Sequence, residues 1–403
     1  MKNLNNFKIK NKKVLFRADL NVPYFNGLVT DKSRIFSIKK SIKKLLSQKN
    51  KIFIISHFGR PKDKHDKKFS LEFICPYLKE ILEIKKIFFL NEFDSQSINK
   101  KINEMSFGDI CLLENIRFIP EEEKNDVNFS KEITKFFDVF VNDAFSASHR
   151  LHSSIVGFTN FLPAVAGYSL IDEIKNIDSF LLNPKIPNIA IIGGSKISTK
   201  IAALNNLIEL FGTIVIGGAM SNTFLVANGI KVGTSLVEKD LIDIANKFLK
   251  KAKDFNCNII LPIDVICSNN INDKNNIRYC DVNKISSNQM ILDLGKKTSK
   301  IICNEITKNK MLLWNGPLGA FEFKPFDQST LDVASAIKKH SKNKEIQAIA
   351  GGGDTISSIK LAKAEKGFKY ISNAGGAFLE WLEGNESPGV IAIKENNLDY
   401  SSI

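Results

Sequence analysis

Arginine is scarce in this 403-residue chain and unevenly placed. Of its 57 basic residues only six are arginine: Arg17, Arg34, Arg60, Arg117, Arg150 and Arg278. Where lysine supplies the everyday positive charge, an arginine marks a place that needs a planar fork. Such a fork grips a carboxylate or phosphate with two hydrogen bonds. Five of the six lie in the first 150 residues, each near other polar groups: Asp19 and Asn21 after Arg17, His57 before Arg60, Asp143 and His149 before Arg150. Together they describe a basin for a small, highly anionic ligand. Singly, each has an ordinary structural reading: a lone histidine bonds within the fold, Asp19 anchors its turn, an arginine makes a surface ion pair.

The second half repeats a different device. Apolar runs end in glycine turns at Gly193-Gly194, Gly217-Gly218, Gly351-Gly352-Gly353 and, through Asn373-Ala374, Gly375-Gly376. A helical pattern follows each one. Glycine lets a backbone approach a ligand, and a helix start offers unpaired N–H groups and partial positive charge, so the repetition points to phosphate binding. A single such turn is also just a tight connection. No G-x-x-x-x-G-K-[ST] loop is present, and Ile356 stands where G-x-G-x-x-G needs its third glycine, so neither a P-loop enzyme nor a dinucleotide dehydrogenase is indicated. Met311–Glu322 (MLLWNGPLGAFE) runs into a rigid turn whose Glu322 is either a solvated loop carboxylate or an acceptor for ribose hydroxyls.

Alternating strands and helices must position these residues. Strands are expected at Lys13–Asp19, Lys51–His57, Ile87–Leu90, Asp109–Glu114 and Asp138–Asn142. Helices are expected at Asp31–Gln48, Leu71–Leu82 and near Ser130–Phe137. Short, nearly continuous apolar strands of this kind imply a parallel sheet covered on both faces. Ligands of such sheets bind beyond the carboxyl ends of the strands, where the arginines and histidines fall. An amphipathic helix at Asp172–Leu182, stopped by Asn183-Pro184, marks a linker and domain boundary.

Composition narrows the classes. At 403 residues, 43% hydrophobic and 25% charged, the chain reads as a globular protein of two domains. The start lacks the apolar stretch of a secretory signal, and no run approaches the roughly 18 apolar residues of a membrane helix. Six cysteines without a C-x-x-C pair suggest reduced thiols in a cytoplasm. The net charge of +14 raises the question of nucleic acid, but its lysines are spread along the chain rather than gathered into a phosphate-binding stripe.

The motifs R-A-D-L-N-V-P (17–23), S-H-F-G-R-P (56–61), L-L-E-N-I-R-F (112–118), N-D-A-F-S-A-S-H-R (142–150), G-G-S-K-I-S-T-K (193–200), W-N-G-P-L-G-A-F-E (314–322) and G-G-G-D-T (351–355) resemble, in order and spacing, those of the phosphoglycerate kinases. The resemblance covers essentially the whole chain. It implies an α/β fold of two doubly wound parallel-sheet (Rossmann-like) domains facing across a cleft. The expected boundaries are 1–170 for the phosphoglycerate domain, 171–187 for a linker helix and hinge, and 188–383 for the nucleotide domain, with 384–403 packing back on the first.

The implied activity is reversible phosphoryl transfer between 1,3-bisphosphoglycerate/ADP and 3-phosphoglycerate/ATP, in glycolysis and gluconeogenesis, in line to or from a carboxylate with domain closure. By the same resemblance, Asp19, Leu20, Asn21, Arg34, His57, Phe58, Gly59, Arg60, Arg117 and Arg150 contact phosphoglycerate. Lys200, Glu322, Gly352, Gly353, Asp354 and Thr355 contact the nucleotide, with Asp354 near its Mg²⁺. Arg34, Lys196, Gly353 and Gly376 serve the transferring phosphoryl group. A cytoplasmic monomer that engages neither membrane nor nucleic acid is expected. The attacking carboxylate is already ionised at neutral pH, so the chemistry needs charge neutralisation and alignment rather than a general base.

One loop departs from the family pattern S-T-G-G-G-A, reading Ser372-Asn373-Ala374-Gly375-Gly376-Ala377 here. A positive φ at position 374 would cost alanine on the order of 1 kcal/mol. Asn373 is expected to cap the following helix. Phe58 and Ala320 replace the family's usual Leu and Val as packing changes.

Overall fold

A computed structural model describes residues 1–62, 66–273, 275–343 and 345–400. The residues divide into two compact units, Met1–Lys175 with Glu386–Ile403, and Asn176–Asn385. The division falls inside the helix Tyr168–Leu181. Among the described residues no helix is long and apolar enough to cross a membrane.

The first unit is built on β1 (Lys13–Arg17), β4 (Lys51–Ile55), β5 (Phe88–Leu90), β6 (Ile110–Leu113), β7 (Val139–Asn142) and β8 (Ala164–Ala166), with a small hairpin of β2 (Tyr24–Phe25) and β3 (Leu28–Val29) beside them. Strand order is β5-β6-β4-β1-β7-β8, and every neighbouring pair is parallel. β6 and β7 are buried along their whole length, and β1 and β4 at all but their first residue. That is the pattern of a sheet covered on both faces. Connections leave β1 first toward β4 and later return to β7 on its other side, so the direction of winding reverses at β1. Ligands of open α/β sheets bind at such a reversal, beyond the strand carboxyl ends.

The second unit contains β9 (Asn188–Ile192), β10 (Thr213–Ile216), β11 (Asn258–Ile260), β15 (Met311–Asn315), β16 (Gln347–Gly351) and β17 (Tyr370–Ser372) in the order β11-β10-β9-β15-β16-β17, again parallel. Counted within this sheet the order is 3-2-1-4-5-6, the doubly wound Rossmann arrangement, with its reversal between β9 and β15. An antiparallel sheet of β12 (Asp264–Ser268), β13 (Arg278–Asp281) and β14 (Met290–Leu294), in the order β13-β12-β14, is added to it.

Several sequence expectations are corrected. The helix expected at 31–48 is two helices, Ser33–Ser37 and Lys39–Ser47. The break falls at Ile38, next to Ser37, whose hydroxyl donates to the Arg34 carbonyl at 2.8 Å. The helix near 130–137 instead covers Val127–Thr134, because Asp126 caps it by accepting from the Phe129 N–H at 2.8 Å. The linker helix starts at Tyr168 rather than 172. Its first N–H groups are held by distant side chains, Tyr168 N–H by Ser41 Oγ at 2.9 Å and Leu170 N–H by Asp143 Oδ1 at 3.0 Å. Ala374 adopts φ −96°, so the departing loop carries no left-handed strain, and Ala374, not Asn373, is the N-cap of the helix Gly375–Leu382.

Residues after Asn385 return to the first unit. Asn396 Nδ2 donates to the carbonyls of Thr159 (2.6 Å) and Leu162 (3.0 Å), and Tyr400 Oη exchanges hydrogen bonds with Ala164. All six cysteines are free thiols.

Candidate active site

In the first unit, four strand ends deliver polar groups to one edge. Asp19 and Asn21 follow β1, His57 through Arg60 follow β4, Arg117 follows β6, and Ser146 and Arg150 follow β7. Asp19 is the negative centre. Arg34 Nη1 and the Ser146 hydroxyl both donate to its Oδ2, and the Asn21 N–H donates to Oδ1 at 3.1 Å. Burial on its own would raise the Asp19 pKa, but Arg34 and these hydrogen bonds prevail and hold it down at about 2. Asn21 Oδ1 accepts from the Gly59 N–H at 2.9 Å, tying the first strand end to the second.

Arg117 donates from Nη1 to the Gly59 carbonyl at 2.6 Å and lies 3.3 Å by Nε from Glu123. Burial lowers its guanidinium pKa; Glu123 opposes that, and Arg150 and Arg60 push it further down. Cations thus crowd a site with few carboxylates, a repulsion that an anionic ligand relieves. Arg60 is exposed, and Arg34, Arg117 and Arg150 are half-buried, with room to meet a ligand. Leu20 and Phe58 differ: their side chains are buried in the core, leaving only main chain for any contact.

Sequence reading gave no role to the residue that holds these segments in register. Asn115 is fully buried and makes four hydrogen bonds. Its Oδ1 accepts from the N–H groups of Phe58 and Arg117, each at 3.1 Å, and its Nδ2 donates to the carbonyls of Phe58 (2.7 Å) and Phe69 (3.0 Å). Neighbouring Glu114 accepts from Ser70 Oγ and the Leu71 N–H at 2.7 and 2.8 Å. The available signal was a Glu-Asn pair directly after an apolar strand, where no core residue is needed.

The second unit has a cavity of about 360 Å³ at the reversal between β9 and β15. Leu236, Met290, Leu292, Leu318 and Phe321 give it an apolar body, and Gly194, Gly218, Glu322 and Asp354 line its polar part. The glycine turns are of two kinds. Gly193 packs against the Pro317 and Gly316 carbonyls, where a Cβ would collide with backbone; these glycines bring β9 and β15 together. Gly353 and Gly375, at the starts of the helices Gly353–Leu361 and Gly375–Leu382, have open space where a Cβ would stand. Only the second kind leaves open space beside a helix start, where unpaired N–H groups favour a phosphate.

Lys200 donates to Asn315 Oδ1, and burial lowers its ammonium pKa to about 8 against the opposing pull of Asp354 and Glu383. Asn315 also donates to the Gly351 carbonyl at 2.7 Å, and Thr355 Oγ1 accepts from the Gly316 N–H at 2.7 Å, so the turns after β15 and β16 are fastened together. Thr355 is thereby buried, whereas Lys196, Glu322, Gly353, Asp354 and Gly376 are exposed and Gly352 is half-buried. No cluster of three His, Cys, Asp or Glu side chains suited to a metal occurs among the described residues. Asp354, exposed in the cavity wall, fits a magnesium ion that arrives held by nucleotide phosphates and water, since Mg²⁺ keeps most of its shell from such ligands.

A cationic basin on one doubly wound sheet and a glycine-edged cavity on another define a two-domain α/β phosphotransferase. The phosphoglycerate kinase family model matches residues 4–385. Phosphoglycerate kinases of Chelativorans sp. (strain BNC1) and Cereibacter sphaeroides (strain KD131 / KCTC 12085) are 41% and 42% identical to this chain over 387 and 392 residues. Those alignments span 96% and 97% of the chain, and 97% and 99% of the relatives. The solved phosphoglycerate kinase of Coxiella burnetii superposes with a TM-score of 0.86 at 34% identity, covering 98% of this chain and 99% of that one. The chain belongs to the phosphoglycerate kinase family. Its activity is that of a phosphotransferase interconverting 1,3-bisphosphoglycerate and ADP with 3-phosphoglycerate and ATP, a step of glycolysis.

Proposed function

We propose that the basin of the first unit binds the phosphoglycerate and that the cavity of the second binds the adenine nucleotide. The observation that carries this reading is the convergence of Arg34, Arg60, Arg117 and Arg150 from separate segments onto one sheet edge around Asp19. A bisphosphorylated three-carbon acid needs such a density of forks, and a surface ion pair does not. Asp19 and Asn21 hold Arg34 and the Gly59 turn, and His57 adds a neutral donor. Leu20, Phe58 and Gly59 contribute main chain only.

In the ATP-consuming direction the 3-phosphoglycerate carboxylate attacks the γ-phosphorus. Being ionised already, it needs no base, and none is assigned. Arg34 from the first unit and Lys196 from the second neutralise the equatorial oxygens of the transferring group. The N–H groups at Gly353 and Gly376 receive phosphate oxygens at helix starts. Lys200 and the Gly352–Thr355 turn bind the nucleotide phosphates, and Glu322 accepts from the ribose hydroxyls. Asp354 would hold the magnesium ion, which when bound would offset phosphate charge. Because the two half-sites belong to different units, transfer requires the units to close and exclude water, which would hydrolyse the acyl phosphate. Flexure at the helix Tyr168–Leu181 serves that closure. This reading gives a monomeric cytoplasmic enzyme acting on small molecules.

The test mixes protein, Mg·ATP and 3-phosphoglycerate with hydroxylamine. A hydroxamate that depends on both substrates is expected, since an acyl phosphate yields it and an ester phosphate does not. Nucleotide binding with no hydroxamate would overturn the assignment.

A further inference from the structure

Arg17 is the one arginine of the first unit that the binding reading leaves without a task. It is 1% exposed, so it cannot grip a ligand, and each of its three nitrogens has a partner within the protein. Nε donates to Ser154 Oγ at 2.9 Å, Nη1 donates to the Ala18 carbonyl, and Nη2 lies 3.1 Å from His57 Nδ1. Behind it stands a buried carboxylate. Ser154 donates its hydroxyl to Glu122 Oε1 at 2.6 Å and its N–H to Oε2 at 2.8 Å. Ser154 Oγ thus donates its hydrogen to Glu122 Oε1 and accepts from Arg17 Nε, linking Glu122, Ser154, Arg17 and His57 in one buried chain.

The direction of the last link decides the chemistry of His57. A guanidinium has five donors and no acceptor, so His57 Nδ1 must accept. A neutral imidazole that accepts at Nδ1 carries its hydrogen on Nε2, and an imidazolium would have no lone pair to offer. We infer that Arg17 is a positioning residue that fixes His57 as the neutral Nε2–H tautomer, so that the ring meets the phosphoglycerate as a hydrogen-bond donor and not as a cation. This inference rests on the assignment of the basin as the phosphoglycerate site. The charged groups around the ring agree with it: burial drives the His57 pKa well below the usual value, Arg17, Arg117 and Arg34 push the same way, and Asp19 alone opposes them. The sheet makes the arrangement possible, because Arg17 pairs with Ile55 in the parallel β1–β4 ladder and His57 lies two residues further on the same face.

The experiment is long-range ¹H–¹⁵N correlation on ligand-free enzyme labelled at histidine, with His57 assigned by its loss in His57→Ala. A single Nε2–H tautomer at pH 7 is expected; an Nδ1–H ring or an imidazolium overturns the inference whatever the enzyme binds. Arg17→Lys, and Ser154→Ala should the first variant fail to fold, are expected to mix the tautomers. They should also raise KM for 3-phosphoglycerate about tenfold, the value of one hydrogen bond to a charged group, while KM for ATP stays within about twofold. A raised KM with the tautomer unchanged would reduce Arg17 to a structural role. An unchanged 3-phosphoglycerate KM in His57→Ala would instead fault the site assignment, so the two failures are distinguishable.

Discussion

Replacing Asn115 by alanine tests whether one buried amide sets the geometry of the basin. The substitution removes four hydrogen bonds at a site with no solvent exposure. Four backbone groups lose a partner: the N–H and carbonyl of Phe58, the Arg117 N–H and the Phe69 carbonyl. Buried hydrogen bonds contribute about 1 kcal/mol each, and a water in the vacated space recovers part of that, so the loss should be about 3 kcal/mol. In a unit of this size each kcal/mol lowers Tm by about 2–4 °C, giving a fall of roughly 10 °C. Calorimetry reads the shift, and steady-state kinetics reads its consequence. Phe58, Gly59 and Arg117 lose their register, so KM for 3-phosphoglycerate should rise about tenfold or more, while KM for ATP, governed by the other unit, should not follow. Asn115→Asp should be no milder, because a carboxylate keeps the acceptor and faces the Phe58 and Phe69 carbonyls with nothing to donate. A Tm within about 2 °C of the wild type with unaltered phosphoglycerate kinetics would refute the reasoning.

Arg34→Lys retains a positive charge but loses the fork that meets Asp19 and is proposed to meet the transferring group, so turnover should fall at least about tenfold. Lys39→Arg, whose partner Glu83 sits 2.7 Å away on an exposed surface, should change turnover less than twofold. Equal losses in the two variants would show that arginine placement was overread. With Lys200 losing its proton at about pH 8, Mg·ATP affinity should weaken about tenfold between pH 7 and 9 as the cation is neutralised. Titration calorimetry should find that slope absent in Lys200→Arg, which stays charged throughout; a slope shared by both proteins would assign it elsewhere.

The parallel sheets were legible because their strands are short apolar runs that end in polar or glycine residues. β5 and β7 end at the expected residue, and β1, β4 and β6 stop one or two residues short of it, at the point where the chain turns toward the basin. What escaped the sequence was long-range. The start of the helix Tyr168–Leu181 depends on Ser41 and Asp143, and no local pattern announces a cap supplied from 127 residues away. The strands of the antiparallel sheet, among them D-V-I-C-S and R-Y-C-D, mix polar and apolar residues and gave no periodic signal.

The arginines of the proposed phosphoglycerate site were visible through their rarity, yet the same rarity included Arg17, which is buried. Asn115 was invisible because asparagine is common in this chain and only the fold shows its four partners. The glycine doublets read alike in sequence; whether a glycine meets another backbone, as Gly193 does, or open space, as Gly353 does, is settled by sheet packing alone.

The return of residues 386–400 to the first unit has a consequence for how the protein is made. The second unit is one unbroken stretch of chain and can complete itself as it leaves the ribosome. The first unit is emitted earlier but lacks its last components, since Asn396 and Tyr400 must still reach Thr159, Leu162 and Ala164. The half made first is therefore the half finished last. Throughout elongation the nascent chain carries a first unit whose last packing segment has yet to be translated.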